Sequence, residues 1–265
     1  MQKFRHFFTF FVISIVFFNC YERKSGCLDP IASNYSISSD DPCDNCCIYP
    51  KLTLKAERLY GDSIFKTTDT LSNSFSQNYF FHELKMYFSS FSVLKPDGTE
   101  SKVIEYIIDS LHNLTITDDV KIYNFKEETK TIGTIKLTGK IDGFTCRLGL
   151  DESLNDTNFN TVAKTHPLSG TSRLKDNENQ LIQAICSVVF IEGAISDTVQ
   201  YFIPLDNNPN MYNFTQNSDF SLGQDVEIRV KLDFKNLFDD IDFKSDSLVR
   251  ASQFIENFKT KFIVY

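Results

Sequence analysis

The sequence lacks tryptophan, any dense cluster of lysine and arginine, and the short motifs that mark the common enzyme classes. A chain without Trp cannot carry a group that is made from that residue. The missing basic cluster, together with a formal net charge of -8, argues against nucleic acid as a partner. No G-x-S-x-G, H-E-x-x-H, P-loop or glycine-rich nucleotide fingerprint occurs, so the sequence does not predict an enzyme.

Hydrophobic and aromatic residues are plentiful by contrast. The chain of 265 residues is 42% hydrophobic and contains 26 Phe and 11 Tyr, a composition typical of a globular body. Residues 51–265 are enough for one large β domain with its own core. The net acidity is interpreted as a solubility feature of an exported protein.

The N-terminus is typical of an export signal. Lys3 and Arg5 give it a positive start, and Phe7–Phe18 is an almost unbroken apolar run. This run is shorter than the roughly 20 apolar residues that cross a bilayer, and it fits the hydrophobic region of a signal peptide. No Ala precedes Cys20, so the ordinary A-x-A cleavage site is missing, and the run ends in VFFNC, which resembles a bacterial lipobox. We expect residues 1–19 to be a lipoprotein signal peptide and Cys20 to carry the lipid; the alternative is a plain signal peptide with a chance cysteine.

A cysteine-rich segment, GCLDPIASNYSISSDDPCDNCCIY, lies within the linker region 20–50. Its cysteines are Cys27, Cys43, Cys46 and Cys47. In an oxidising compartment a polar segment of this size indicates disulfides, with three possible connectivities. Zinc is disfavoured, because C-x2-C followed directly by Cys is not the usual spacing of a zinc knuckle. Calcium is a further alternative, although solvated turns explain its candidate oxygen ligands more simply. Those ligands are Asp29, Asn34, Asp40 and Asp41.

The same segment resembles a short module of Bacteroidota surface proteins, GCxDPxAxNYxxxAxxDDGSCxY. The matching positions are Gly26, Cys27, Asp29, Pro30, Ala32, Asn34, Tyr35, Asp40, Asp41, Cys47 and Tyr49. The resemblance implies a bridge between Cys27 and Cys47, which leaves Cys43 and Cys46 to pair with each other. We interpret the module as a spacer or stalk between the lipid and the body.

The body consists of many short apolar segments separated by turn signals, which is typical of β-strands. Predicted strands are Lys51–Tyr60, Val103–Ile108, Val120–Phe125, Thr131–Leu137, Phe144–Leu150, Gln183–Gly193, Thr198–Pro204, Asp225–Phe234 and Lys261–Tyr265. The segment Tyr79–Leu94 predicts either a buried strand pair or one long bent strand. The sequence therefore predicts an all-β fold, an antiparallel sandwich with long loops, after a small disulfide-rich head. One short helix is expected at Leu248–Phe258, where four apolar residues share a face. These are Val249, Phe254, Ile255 and Phe258.

The stretch Ile141–Gly170 begins with strand-like alternation and continues as a long polar loop, Asp151–Thr165. A polar loop that leaves a half-buried strand is a good location for a binding surface. Cys146 in this strand and Cys186 in a later one are expected either to form an inter-sheet disulfide or to remain two buried thiols, and export favours the bridge.

Several short motifs in residues 51–265 resemble the MbnP-like family of bacterial exported β proteins. They are Leu84–Gly98, Tyr106–Asp109, Leu148–Asn155, His166-Pro167-Leu168 and Phe190–Gly193. The resemblance implies a β-sandwich domain. It also implies copper, because some members bind copper through His and a kynurenine that a partner dihaem peroxidase makes from Trp.

The copper-binding positions of that family are not matched here. The segments that would carry them are Leu174–Ile182 and Tyr201–Asp206, and neither contains Trp, Met or His. We therefore expect no copper site of the family type. His82, His112 and His166 remain weak metal candidates, and a structural or rim role is the simpler interpretation of each.

A tripeptide of Asp, then Ser or Thr, then an apolar residue occurs five times and resembles the O-glycosylation sequon of exported Bacteroidota proteins. Chance is the alternative, because the motif is short and the chain is rich in these residues. The acceptor residues would be Ser63, Thr70, Ser110, Thr198 and Ser247.

The leading hypothesis is a lipid-anchored lipoprotein of the outer membrane, facing the periplasm or the cell surface. Its β-sandwich would act as a binding or accessory module for a cell-envelope protein, without catalysis. Two alternatives are a copper-binding protein that partners a dihaem peroxidase, with changed ligands, and a structural surface protein.

Overall fold

The computed structural model describes residues 21–103, 106–109, 114–117, 119–150, 159, 162–193, 195–205 and 210–264. The predicted signal peptide, Cys20, Ser110 and His112 lie outside the described residues. The strands are β1 (Ser25–Gly26), β2 (Asp41–Pro42), β3 (Lys51–Tyr60), β4 (Ser63–Ile64), β5 (Leu71–Ser72), β6 (Asn78–Leu94), β7 (Glu100–Lys102), β8 (Tyr106–Asp109), β9 (Leu114–Thr117), β10 (Lys121–Asn124), β11 (Thr129–Thr134), β12 (Gly139–Leu148), β13 (Ile182–Glu192), β14 (Ile195–Pro204), β15 (Asn210–Phe220), β16 (Val226–Asp233) and β17 (Ile263–Val264). The helices are α1 (Lys235–Phe238) and α2 (Ser247–Thr260).

Two β-sheets enclose the main core. The large sheet has the order β14-β13-β6-β12-β15, and β5, β7 and β10 also pair with β6. The small sheet has the order β11-β3-β16-β17, with β4 beside β3. Its central pair, β3 and β16, is parallel, while the described pairs of the large sheet are antiparallel. The predicted all-β sandwich is confirmed, and the parallel pair is a feature that the sequence did not predict.

β6 is the central strand of the large sheet and is one long bent strand of 17 residues. His82 is an extra residue on β6, because Phe81 and Glu83 face the consecutive residues Val188 and Ser187 of β13. A second bulge lies at Ser90, whose φ is 55°, where two residues of β6 face one residue of β12. Bulges bend a strand, and these two explain how β6 serves several partners along its length.

The core between the sheets is rich in phenylalanine. Alternating residues of β16, including Ile228 and Val230, are buried, as strand periodicity predicts. The predicted helix is present as α2, and Asp246 caps it by accepting a hydrogen bond from the Leu248 amide at 2.8 Å. Its buried side includes Phe254 and stacks on α1, whereas Val249 is 49% exposed, so the predicted apolar face was wrong at that residue.

The predicted inter-sheet disulfide between Cys146 and Cys186 was wrong, and the alternative of two buried thiols is confirmed. Both thiols are free and buried, and both belong to the large sheet, in β12 and β13 on opposite sides of β6. Cys186 lies opposite Leu84, whereas Cys146 lies opposite the bulge at Ser90. The positions opposite Cys186 and Cys146 are thus six residues apart along β6. At about 3.3 Å per residue the two cysteines are separated by roughly 20 Å, far beyond the reach of a disulfide.

The head contains two disulfides, Cys27–Cys47 and Cys43–Cys46, which are the pairings implied by the resemblance. It also packs against the body instead of standing apart as a spacer. The Lys136 ammonium lies 3.1 Å from an Asp29 carboxylate oxygen and 4.2 Å from the centre of the Tyr49 ring. The Ser33 hydroxyl donates to the Gly223 carbonyl oxygen at 3.0 Å.

Candidate functional site

The long connection from β12 to β13, residues 149–181, lies against the outer face of the large sheet. We call it the crossover segment; residues 149–150, 159 and 162–181 of it are described. Apolar side chains form a second, smaller core beneath it, with Tyr87 of β6 at its base. The residues of this core are Tyr87, Val120, Leu150, Phe159, Val162, Leu168, Leu174, Leu181 and Ile182. The crossover is therefore a packed layer in its described part.

Polar side chains from the sheet fasten the crossover segment. The buried Tyr87 hydroxyl donates to the Pro167 carbonyl oxygen at 3.1 Å and accepts from the Leu174 amide at 2.9 Å. The Ser89 hydroxyl donates to the Gly149 carbonyl oxygen at 2.8 Å, where the chain leaves β12. Burial raises the pKa of Tyr87 well above its ordinary value, so the phenol stays protonated and able to donate.

The predicted binding loop, Asp151–Thr165, falls largely outside the described residues. Of its described positions, 163–165 are exposed, whereas Phe159 and Val162 are buried. His166 follows it and is buried; its Nδ1 accepts a hydrogen bond from the Leu168 amide at 3.2 Å. This is the turn role that the sequence suggested as the simpler interpretation.

The metal candidates do not form a site among the described residues. His82 is exposed at its bulge on β6, whereas His166 is buried in the crossover segment. Within the described ranges, the clustered potential ligands are Cys43, Cys46 and Cys47, and all three are engaged in disulfides. These described residues do not provide the set of imidazole ligands that the family resemblance implies for copper.

The two thiols of the large sheet are poorly suited to nucleophilic chemistry. Burial raises the pKa of both Cys146 and Cys186, and a thiolate is the reactive form. They are interpreted as small apolar residues of the core.

The candidate glycosylation residues that the structure describes are accessible. Ser63, Thr70, Thr198 and Ser247 are all exposed.

A groove of about 1200 Å³ crosses the outer face of the small sheet. Its floor comes from β3 and β16, where Lys55, Glu57 and Arg229 alternate with buried apolar residues. One end lies against β15 and the turn that follows it, at Phe220 and Asp225. The groove was not found from the sequence, although the alternation in KLTLKAERLY and VEIRVKLDF already predicted a polar outer face there.

Charges of both signs line the groove. The Arg229 guanidinium lies 2.9 Å from Glu227 on the same strand. The Arg58 side chain is only 13% exposed; it donates to the Phe125 carbonyl oxygen at 2.8 Å and lies 3.6 Å from Glu128. Since acidic and basic groups alternate across the floor, the groove has no strong potential of one sign and favours a ligand of mixed polarity.

Gln216 joins the two sides of the groove. Its amide nitrogen donates to the Glu227 carbonyl oxygen at 2.9 Å, and its amide oxygen accepts from the Arg229 backbone N–H at 3.1 Å. The side chain of a β15 residue thus satisfies two backbone groups of β16, in the place where a neighbouring strand would do so.

No helix in the described part of the chain is long and apolar enough to cross a membrane. No protein-family model matches the chain, and no curated protein matches it. The structure is similar to that of MbnP from Methylosinus trichosporium, with a TM-score of 0.46 and 14% sequence identity, over 72% of this chain and 78% of that chain. This similarity concerns the structure alone and assigns neither ligand nor activity.

Proposed function

We propose that this chain is an exported, lipid-anchored β-sandwich that binds a partner in the cell envelope through the groove on its small sheet. The observation that carries the proposal is the groove itself, about 1200 Å³ in volume, on a rigid floor of paired strands. Sites on paired strands hold their side chains in fixed positions, which favours recognition.

A binding role is favoured over catalysis by the chemistry of the groove. Two pairs of its charged side chains lie close together, Arg229 with Glu227 and Arg58 with Glu128. Such pairs provide electrostatic complementarity to a partner.

A photo-crosslinking amino acid at Thr215, exposed at the groove, tests this proposal in the native host. The matched control places it at Gln200, exposed on the large sheet away from the groove. We expect one discrete adduct from Thr215, absent from Gln200 and lost on Arg229→Glu. Equal adducts from both positions, or none from either, would contradict the proposal.

The lipid anchor is part of the same proposal and has its own test. Metabolic labelling with an alkyne fatty acid is expected to mark the wild-type chain and not Cys20→Ser. Label on the Cys20→Ser chain would disprove lipidation at that residue.

The two alternatives predict other outcomes. A copper protein with changed ligands would retain stoichiometric copper after loading with Cu(I) or Cu(II) and dialysis, with His166→Ala as the control; that result would overturn the view that the family's metal site has been lost. A structural surface protein would self-associate and give Thr215 adducts with itself.

We also propose O-glycosylation at one or more of the five Asp-[Ser/Thr]-apolar sites. The exposure of the described acceptors supports it. Intact mass of the protein from its native host is expected to show added hexose mass, and an unmodified mass would remove this hypothesis.

A further inference from the structure

One edge of β16 is largely without a strand neighbour in the described part of the chain. On one side β16 pairs with β3 along its full length, Val226–Asp233. On the other side its neighbour is β17, whose pairing covers only Leu232 and Asp233. The backbone of residues 226–230 therefore has a sheet edge that faces the groove. An edge of this kind is a template for a further strand.

The Gln216 amide occupies the middle of this edge. In a β-strand the carbonyl group of one residue and the N–H of the residue two positions later point to the same side. Glu227 and Arg229 present these groups, and the amide oxygen and nitrogen of Gln216 bind both. An incoming strand would offer the same two groups from its own backbone. Gln216 thus substitutes for a missing strand.

β15 bounds the space on the opposite side. Among the described strands it pairs with β12 and no other, so its second edge also faces outward. The Gln216 side chain bridges this space through its two hydrogen bonds to β16. We call the space between β15 and residues 226–230 of β16 the strand slot.

We propose that the strand slot receives an extended segment of another polypeptide, which adds to β16 as a strand in line with β17. This inference rests on the proposed binding function of the groove and names the class of its partner. β17 is antiparallel to β16, with Val264 opposite Leu232. A segment in line with it runs antiparallel from Val230 to Val226, which is five residues or about 17 Å.

The side chains of β16 define the pattern of the incoming segment. Val226, Ile228 and Val230 are buried, so residues that face the same side of the sheet must be apolar. Glu227 and Arg229 face outward and pair with each other, so the residues beside them need only be polar. The partner segment therefore alternates apolar and polar residues and carries no Pro at the amides that face β16.

The geometry favours a single segment over a second copy of this chain. The slot offers its occupant one strand edge, that of β16, and β15 bounds the space beside it. β16 of a second copy is already paired with β3 along its whole length and could not enter the slot as a lone strand. A lone extended segment fits, as in other cases of strand addition.

The test uses the full mature chain and a defined probe, the acetylated and amidated peptide TVTVTVT. Seven further peptides each carry one N-methyl group, which removes one backbone donor. We expect peptide binding to shift the backbone amide signals of Glu227 and Arg229. We expect N-methylation at every second residue to weaken binding about 5-fold to 10-fold, the effect of one hydrogen bond, with less than about 2-fold at the positions between.

Two variants test whether the Gln216 amide occupies the place of a neighbouring strand. Gln216→Ala leaves Glu227 and Arg229 available to the peptide, and tighter binding by about 5-fold to 10-fold is expected. Gln224→Ala is the matched control, since this amide also lines the groove but contacts the turn residue Ser221 instead of β16. We expect it to leave the affinity unchanged.

A flat N-methyl series, or failure of every peptide to bind while the Thr215 crosslink succeeds, would overturn strand addition and leave the binding function standing. Loss of both the crosslink and peptide binding would overturn both proposals. Concentration-dependent dimerisation that Gln216→Ala enhances would identify a second copy as the occupant and overturn the inference. The period-two series together with the Gln216→Ala effect would establish it.

Discussion

Tyr87→Phe removes one oxygen atom and with it two of the hydrogen bonds that hold the crossover segment to the large sheet. The hydroxyl contacts Pro167 and Leu174, and the Tyr87 side chain is fully buried. Phe keeps the ring and its packing. The substitution therefore isolates the contribution of the hydroxyl.

The magnitude follows from the groups that lose their partner. Each intramolecular hydrogen bond contributes about 1 kcal/mol, and a buried backbone group left without a partner costs about 1–3 kcal/mol. Leu174 is only 8% exposed, so its N–H has little access to water, whereas Pro167 is half-buried and water can partly replace the hydroxyl. We expect Tyr87→Phe to lower the free energy of unfolding by about 2–3 kcal/mol.

Tyr201→Phe is the matched control. Tyr201 is 2% exposed, and its hydroxyl oxygen is buried without a hydrogen-bond partner in the described structure. Removing that hydroxyl takes away a desolvated polar group, so we expect a change of less than about 0.5 kcal/mol or a slight stabilisation.

The assay is urea unfolding of the two variants and the wild type, with amide exchange as a local readout. We expect Tyr87→Phe to accelerate exchange at Leu174, where the hydrogen bond is lost, and Tyr201→Phe to leave it unchanged. Equal losses of stability in the two variants would refute the reasoning, because the effect would then belong to the buried phenol in general. A loss below about 0.5 kcal/mol for Tyr87→Phe would show that the hydroxyl does not fasten the crossover.

Three further predictions concern other parts of the chain. Gly149→Ala is expected to lower the free energy of unfolding by about 3 kcal/mol in chemical denaturation, because the residue has a φ of 108° and a Cβ would lie 2.4 Å from the buried Gln183 side chain. Gly139→Ala is the control: its φ is 83°, but no atom lies within 4 Å of the added Cβ, and the expected loss is about 1 kcal/mol. Thiol labelling of the oxidised mature chain should modify neither of the two buried thiols of the large sheet before unfolding and both after it, and labelling of the native chain would contradict their burial. Lys136→Ala should speed amide exchange in the head. A similar change is expected in the wild type at low pH. The pKa of Asp29 is lowered, first by the Ile31 N–H and then by Lys136, so its stabilising contribution is present above its ordinary pKa of about 4 and is lost as the pH falls through the lowered value. Unchanged exchange in both experiments would contradict the docking of the head.

The central strands were predictable because burial leaves a periodic trace in the sequence. β3 and β16 alternate apolar and polar residues, and the longest apolar run in the body became β13. β15 was missed, since NMYNFTQNSDF has few apolar residues and lies at the edge of the large sheet. An edge strand requires less burial, and its sequence therefore carries a weaker signal.

Contacts between residues that are far apart in sequence explain what the sequence did not predict about the sites. The crossover segment was recognised as a loop, but Tyr87 and Ser89, which fasten it, lie about sixty to ninety residues earlier in a strand that looked simply apolar. The prediction of a disulfide between Cys146 and Cys186 was wrong for the same reason. Alternation places a residue on a face of a sheet, but it does not give the order of the strands.

The position of the strand slot follows from the connection between β15 and β16. These consecutive strands belong to different sheets, so they do not pair with each other, and Gln216 satisfies part of the edge that results. The connection at 221–225 closes one end of the slot. The head holds that connection through the Ser33 hydroxyl, which donates to the Gly223 carbonyl oxygen at 3.0 Å, and β3 holds it through the Lys51 amide, which donates to the Asp225 carboxylate at 2.8 Å. If the head follows a lipid on Cys20, these contacts fix the direction of the slot relative to the membrane. A head that merely served as a flexible spacer would give no such orientation.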